Sequence, residues 1–530
     1  MANRGEIALR VFRAARSLGL GAVAVAAPDD AGSLHARSAD ETIAISSYLD
    51  PGEHIRAARE AGADAIHPGY GFLAENGDFA AAVVDAGLTW IGPPAEALRA
   101  GGDKLAAKRI AAEAGVPTIP ETDEPPLIVK AAAGGGGRGM RIVRAREELD
   151  DALAAARREA QSAFGDDRVY LERYLERPRH VEIQLLADSH GNVVALGERD
   201  CSVQRRHQKV LEESPSPALG PELRARMSDA AVRFAQAIGY AGAGTAEFVV
   251  EGEEFFFLEL NGRIQVEHPV TEAVTGLDLV QWQLRIAQGE ALDVHPSSSG
   301  HAVEVRLYAE DPRTFLPQAG RIDHLRLPSL VRVDAGVEEG DEVGTAYDPM
   351  IAKLIAHGPT RDDALDRLAA AIAATEVGGV TTNLPFLRWL VGHPAFRAGE
   401  ATTAFLTEYP PLSAPPPRVA AAVWRGAFRL NLPPAALRPP PDLEAAAHEH
   451  GAADASGEVL APMPGTVLAV HVQAGDTVQA RQPLVVLEAM KMETPLLAPY
   501  DATVTAVHVQ PGDSVAGGTK LMELSSAQPN

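Results

Sequence analysis

A seven-residue phrase occurs twice near the C-terminus: Val470-His471-Val472-Gln473-Ala474-Gly475-Asp476 returns as Val507-His508-Val509-Gln510-Pro511-Gly512-Asp513, an offset of 37 residues (507 − 470). Ala461-Pro462 and Thr466-Val467 return at the same spacing as Ala498-Pro499 and Thr503-Val504. Short Val-rich runs between Gly-Asp and Pro-Gly turns are strand-and-turn chemistry, with no helical period to compete. Residues 458–525 are therefore expected to form a flattened all-β barrel with quasi-twofold symmetry. Glu488-Ala489-Met490-Lys491-Met492-Glu493 falls between the halves, at the hairpin that joins them.

The rest of the chain keeps a different rhythm. From 1 to about 410, helical stretches alternate with short β-branched runs, as in the helix expected over 53–62 followed by Ala65-Ile66-His67. That is an α/β pattern, and 530 residues are too many for a single core. Residues 411–457 are rich in Pro and Ala, with Pro415-Pro416-Pro417 and Pro439-Pro440-Pro441 among them. Proline fixes φ and withholds a donor, so this stretch reads as an extended linker, with only Val419 to Leu432 suited to strands.

Charge and cysteine content narrow the function. With 72 acidic against 48 basic residues, a net charge of −24 argues against nucleic acid as a partner. The one cysteine, Cys201, cannot form an intrachain disulfide, which fits a reducing compartment. Neither a signal-peptide core nor an apolar run of membrane-spanning length is found, so a cytoplasmic protein is expected.

The chemistry begins at Ile128-Val129-Lys130, a short strand that runs into Gly134-Gly135-Gly136-Gly137. Consecutive glycines let backbone N–H groups wrap phosphate oxygens. No Gly-Lys-Ser/Thr follows, so this is not a Walker loop. Downstream, Glu247 lies in Gly242 to Val250, and Glu259 and Asn261 lie in Phe255 to Asn261. Glu259 and Asn261 are two apart on an expected strand and share a face. Such hard oxygen donors suit Mg²⁺ or Mn²⁺ bridging ATP phosphates.

A poly-glycine lid after a strand-borne lysine resembles the ATP-grasp fold. With Ala2-Asn3-Arg4-Gly5-Glu6, His67-Pro68-Gly69-Tyr70-Gly71-Phe72-Leu73, Gln204-Arg205-Arg206-His207-Gln208-Lys209 and Arg263-Ile264-Gln265-Val266-Glu267-His268 alongside, the first ~410 residues resemble the biotin carboxylase family almost end to end. Glu-Ala-Met-Lys-Met resembles the attachment sequence of biotinyl carrier domains; a lipoyl domain, or a plain surface lysine beside two methionines, is the alternative reading of Lys491.

The resemblance implies an α/β multidomain enzyme. Its parts are an N-terminal Rossmann-like domain (1–100), an ATP-grasp domain with its lid (101–290), a biotin carboxylase C-terminal domain (291–410), the linker and the carrier. It implies that Lys104, Lys130, His180 and Lys209 contact ATP phosphates or adenine under the lid glycines Gly135, Gly136 and Gly137. Glu172 and Leu175 would lie at the adenine hinge, and Gln204 and His207 at the ribose. Glu247, Glu259 and Asn261 would bind the metals. Arg263, Gln265 and Val266 would hold bicarbonate, with Glu267 as its base. Arg332 would meet the biotin ureido oxygen, and Lys491 would carry biotin covalently.

A carboxylate base beside an arginine suits bicarbonate, which must lose a proton before it attacks the γ-phosphate. Partners implied are a biotin protein ligase, a separate carboxyltransferase (β) subunit and a second copy paired through the carboxylase domain; no membrane partner is implied. The alternatives are a subunit of a split pyruvate carboxylase and a non-catalytic biotin carrier. Four departures from the family pattern carry expectations: loss of the apolar strand before Ala2-Asn3-Arg4, a smaller lid from the shortened stretch between Pro120 and Leu127, a looser backbone at Gly262, and a remnant of the β-subunit docking domain at Val419–Leu432.

Overall fold

The computed structural model describes residues 1–132, 140–164, 166–205, 208–411, 457–462, 465–489, 492–515 and 518–526. The lid glycines Gly135, Gly136 and Gly137, His207, Lys491 and the strands suggested at Val419–Leu432 lie outside the described residues.

One eight-stranded sheet organises the larger part of the chain. Its order is Glu254–Asn261, Gly242–Glu251, Arg179–Ala187, Val193–Arg205, Gln208–Ser214, His301–Tyr308, Met350–Gly358, Arg332–Ala335, antiparallel at every pairing. The expected division at 290/291 falls within this sheet, because Gln208–Ser214 pairs directly with His301–Tyr308. One side carries a core around Phe234, Phe248 and Phe257; the other carries Leu354, Leu365, Phe386 and Phe396. Catalytic groups from both halves can therefore meet on one continuous surface.

The N-terminal region holds two separate parallel strand pairs, Val23–Ala26 with Glu41–Ala44 and Ala65–Ile66 with Thr89–Trp90. The first residues bridge them: the Met1 amine donates to the Val23 carbonyl at 2.8 Å, and the Ala2 N–H donates to the His67 carbonyl. Asn3 fixes the next turn by donating to the Pro68 and Tyr70 carbonyls. Gly5 at φ +65° then opens the helix Gly5–Ser17, whose buried face carries Ile7, Val11 and Ala14. The helix expected over 53–62 spans Pro51–Glu60, because Asp50 caps its first turn.

Leu127–Ala131 sits at the centre of a three-stranded sheet, flanked by Arg141–Val143 and Val169–Arg173 and covered by the helix Leu149–Phe164. Leu127, Val129, Val143, Leu149 and Ala156 form its separate small core.

The C-terminal repeat is expressed strand by strand. Gly465–Val470 answers Ala502–Val507, Thr477–Val478 answers Ser514–Val515, and Pro483–Ala489 answers Lys520–Ser526, each 37 residues on (502 − 465, 514 − 477, 520 − 483). These strands form two four-stranded sheets around Val467, Leu487, Val504 and Leu524. The halves exchange turns: the Gly475 N–H donates to the Val504 carbonyl, and the Gly512 N–H to the Val467 carbonyl. Both glycines hold φ near +100° (99° and 97°), which explains their place in the repeat. Ala489 pairs with Met492 in the connecting hairpin.

Among the described residues, no helix is long and apolar enough to cross a membrane.

Candidate active site

A cavity of about 510 Å³ opens between the large sheet, the N-terminal loops and the small lid sheet. Lys104, Lys130, His180, Gln204, Lys209, Glu247, Glu259, Asn261, Arg263, Gln265 and Val266 all line it, as expected. Glu172 and Leu175 do not. Glu172 is buried behind the wall, where Lys130 and Lys108 donate to its two oxygens at 2.6 and 2.9 Å. Leu175 packs against Ile119, Val249 and Phe256.

The floor is a buried charge cluster. Lys209 Nζ reaches three carboxylates, Glu182 at 2.5 Å, Glu247 at 2.8 Å and Glu267 at 2.7 Å. Burial would lower the ammonium, but the three anions outweigh it and hold it well above the usual lysine range. Burial would likewise raise Glu267; Lys209, Arg306 and Arg199 outweigh that and hold it well below the usual carboxylate range. The Glu267 carboxylate, which lies behind the lining residues, is therefore held in its charged form.

Register brings the metal-ligand candidates together. Glu247 and Glu259 are Cα partners on adjacent strands, and Asn261 donates to Glu247 at 2.9 Å. Burial raises the Glu259 carboxyl, and the neighbouring Glu247 raises it further; its nearest described cation is Lys104 at 3.7 Å. Two facing carboxylates and an amide oxygen are hard donors that suit a divalent cation, with Glu259 the one of the three whose only close described cation is Lys104. His180 lies 2.8 Å from Glu247, and Gln204 donates to its Nδ1. Burial lowers this histidine, yet the Glu247 charge and hydrogen bond leave it raised overall.

Arg263 is held in a fan, donating to Glu75, Gln265 and Asn261 at 2.8–2.9 Å. Glu75 also accepts from the Gly262 N–H. A side chain at Gly262 would press on Leu98, with Cβ 2.6 Å from its Cδ2, so the glycine permits close packing here in place of the looser backbone expected.

Arg332 is not among the residues that line the cavity; it pairs with Glu272 at 2.7 Å and Asp334 at 2.8 Å on the outermost strand of the sheet. The guanidinium beside the base is Arg306, whose Nη2 lies 2.9 Å from Glu267 Oε2. Sequence reasoning passed over Arg306, Glu182 and Glu75. A signal existed for two of them: Glu304 and Arg306 share a face in Ala302-Val303-Glu304-Val305-Arg306-Leu307, as do His180 and Glu182 in theirs, and charges at period two in an apolar strand mark a lined interior.

Comparison with known proteins agrees with this geometry. Residues 1–98 match the model of the biotin carboxylase N-terminal domain, 103–295 that of the carbamoyl-phosphate synthase L chain ATP-binding domain, 304–408 that of the biotin carboxylase C-terminal domain, and 457–524 that of the biotin-requiring enzyme domain. The chain is 48% identical over 440 residues to the mitochondrial methylcrotonoyl-CoA carboxylase subunit alpha of Arabidopsis thaliana, covering 77% of this chain and 60% of that one. It is 43% identical over 557 residues to the biotin-dependent acyl-coenzyme A carboxylase alpha3 subunit of Mycobacterium leprae, covering 94% and 93%. Among solved structures, the biotin carboxylase domain dimer of Hydrogenobacter thermophilus 2-oxoglutarate carboxylase, in complex with MgADP, ADP and bicarbonate, superposes with a TM-score of 0.75 at 43% identity, covering 77% of this chain and 96% of that one.

Proposed function

The chain belongs to the family of biotin-dependent acyl-CoA carboxylase α subunits, and from that premise we propose that it carboxylates biotin held on its own Lys491, using ATP and bicarbonate, for a separate carboxyltransferase subunit. The observation that carries this reading is Glu267 held between Lys209 and Arg306, two residues of the cavity wall that Arg263, Gln265 and Val266 also line. A cytoplasmic location, a biotin protein ligase that loads Lys491, and pairing of two copies through the carboxylase region complete the proposal.

Bicarbonate lies against Arg263 and Gln265, and Glu267 takes its proton as the oxygen attacks the γ-phosphoryl group. Lys209 has a second task. Incoming phosphate competes with Glu267 for its ammonium, and every loosening of that ion pair makes Glu267 more basic when a base is needed. A divalent cation held by Glu247, Glu259 and Asn261 would neutralise phosphate charge. ADP leaves as the γ-phosphoryl group bonds to bicarbonate, and the carboxyphosphate so formed splits into CO₂ and a basic phosphate. Biotin supplies the ureido nitrogen, whose N–H proton goes to that phosphate as the nitrogen bonds to CO₂. Arg332 would stabilise the charge that develops on the ureido oxygen, because its own charge cannot be titrated away.

The decisive experiment measures ATP cleavage with and without bicarbonate and free biotin in the full-length protein. Cleavage that depends on bicarbonate and is lost in Glu267→Gln supports the proposal; a rate indifferent to bicarbonate sinks it.

A further inference from the structure

Beneath the cavity floor lies a pair of carboxyl groups that none of these roles uses. Glu212 on Gln208–Ser214 and Glu304 on His301–Tyr308 are Cα partners across the ladder that joins the two halves of the sheet. Both are fully buried; the two oxygens of Glu304 receive no hydrogen bond among the described residues, and Glu212 has Arg306 as its close partner. Two adjacent anions in a dry interior repel, so such a pair retains a proton around neutrality. Burial pushes Glu212 up to about 7 against the pull of Arg306, and pushes Glu304 well above its ordinary range against that of Lys353.

The charged groups facing the pair are few. Lys353 is committed to the Val266 carbonyl at 2.8 Å and to Glu6 at 3.2 Å. Lys209 acts on Glu212 only at longer range. Arg306 is the close contact, and a single nitrogen does the work: its Nη2 lies 2.6 Å from Glu212 Oε1 and 2.9 Å from Glu267 Oε2. A cation divided between two carboxylates makes them rivals. When Glu212 is protonated, the guanidinium serves Glu267 alone and weakens it as a base. When Glu212 ionises, that hold is shared and Glu267 becomes more basic.

We propose that Glu212, with Glu304 opposite it, is a positioning residue that sets the basicity of Glu267 through the guanidinium the two share. The idea rests on the reading of Glu267 as the bicarbonate base. Glu212 exchanges its proton with solvent as pH changes and passes none to bicarbonate.

The test is the pH profile of bicarbonate-dependent ATP cleavage, from pH 6 to 9, in the full-length protein with ATP and Mg²⁺. Glu212→Gln is expected to stay within about twofold of wild type at pH 6 and to fall about three- to tenfold behind above pH 8, where wild-type Glu212 is charged. Glu304→Gln, neutral like the protonated residue it replaces, should follow the wild-type profile. A Glu212→Gln to wild-type ratio that is flat with pH overturns the proposal. If Glu212→Gln does not fold, Glu212→Asp decides: withdrawing the carboxylate from Arg306 must shrink the alkaline gain, and a wild-type profile would refute the link. Failure of the parent reading looks different, since Glu267→Gln would then cleave ATP as fast as wild type.

Discussion

Lys209 Nζ stands 2.7 Å from Glu267 Oε1, so the carboxylate proposed as the base is held in an ion pair. A carboxylate gripped in this way is charged but weak. On the proposed reading, its strength would be released by whatever draws the lysine off, which would tie proton removal to the arrival of phosphate.

Glu267→Gln should lower bicarbonate-dependent ATP cleavage by about 10²-fold or more, the usual worth of a positioned base. Nucleotide binding, read by fluorescence titration, should stay within a few-fold, because Gln keeps the shape of the side chain.

Replacing Lys209 by Met should destabilise the protein as well as inactivate it. Three buried carboxylates would lose their common cation, and breaking a buried pair costs about 3–5 kcal/mol. Chemical denaturation should show that loss, while Lys209→Arg should recover most of the stability and little of the activity.

The two arginines should separate cleanly. Arg332→Met should cut carboxylation of free biotin by about 10²-fold or more while bicarbonate-dependent ATP cleavage stays within a few-fold. Arg306→Met should lower that ATP cleavage as well, because Glu212 and Glu267 lose the cation they share. An Arg332→Met variant that carboxylates free biotin like wild type would remove Arg332 from the biotin step.

This pair also marks where the sequence stops being informative. Val331-Arg332-Val333-Asp334 and Val303-Glu304-Val305-Arg306 have the same alternating pattern, and no local rule tells an inner strand from an edge strand. The sheet order decides: His301–Tyr308 lies beside Gln208–Ser214, and Arg332–Ala335 is the outermost strand. Groups set by spacing along one strand, such as Glu259 and Asn261, were legible. So was the 37-residue repeat, because its period is written directly in the residues. For Arg306 and Glu182 the period-two pattern marks a shared face but not the partners, which come from strands far away in the chain.

Acid should destabilise the N-terminal region through His67. This histidine is buried; its Nδ1 accepts from the Gly69 N–H and its Nε2 faces Gln283, so the native ring is neutral. Burial lowers it from 6.5 to about 3. The unfolded chain takes up a proton below pH 6.5 that the folded chain refuses, so stability is complete above that pH and declines as pH falls toward 3. Between pH 6.5 and 5 the decline amounts to about 2 kcal/mol. Denaturant melts at the two pH values should show it, and His67→Gln should reduce the dependence.

Coexpression with a biotin ligase should add the mass of one biotin, and Lys491→Ala should abolish the gain. The variant should still carboxylate free biotin, because the cavity and the carrier hairpin are built from separate stretches of chain.

The exchanged turns of the carrier, Gly475 onto Val504 and Gly512 onto Val467, have a consequence in time. On the ribosome Lys491 is made before Ala502–Val507, Ser514–Val515 and Lys520–Ser526, and the first half cannot close its sheets until those strands exist. A ligase that needs the finished hairpin will pass over nascent and truncated chains. Biotin added at Lys491 by such a ligase would then mark completed synthesis and keep unfinished subunits out of the proposed carboxylation cycle.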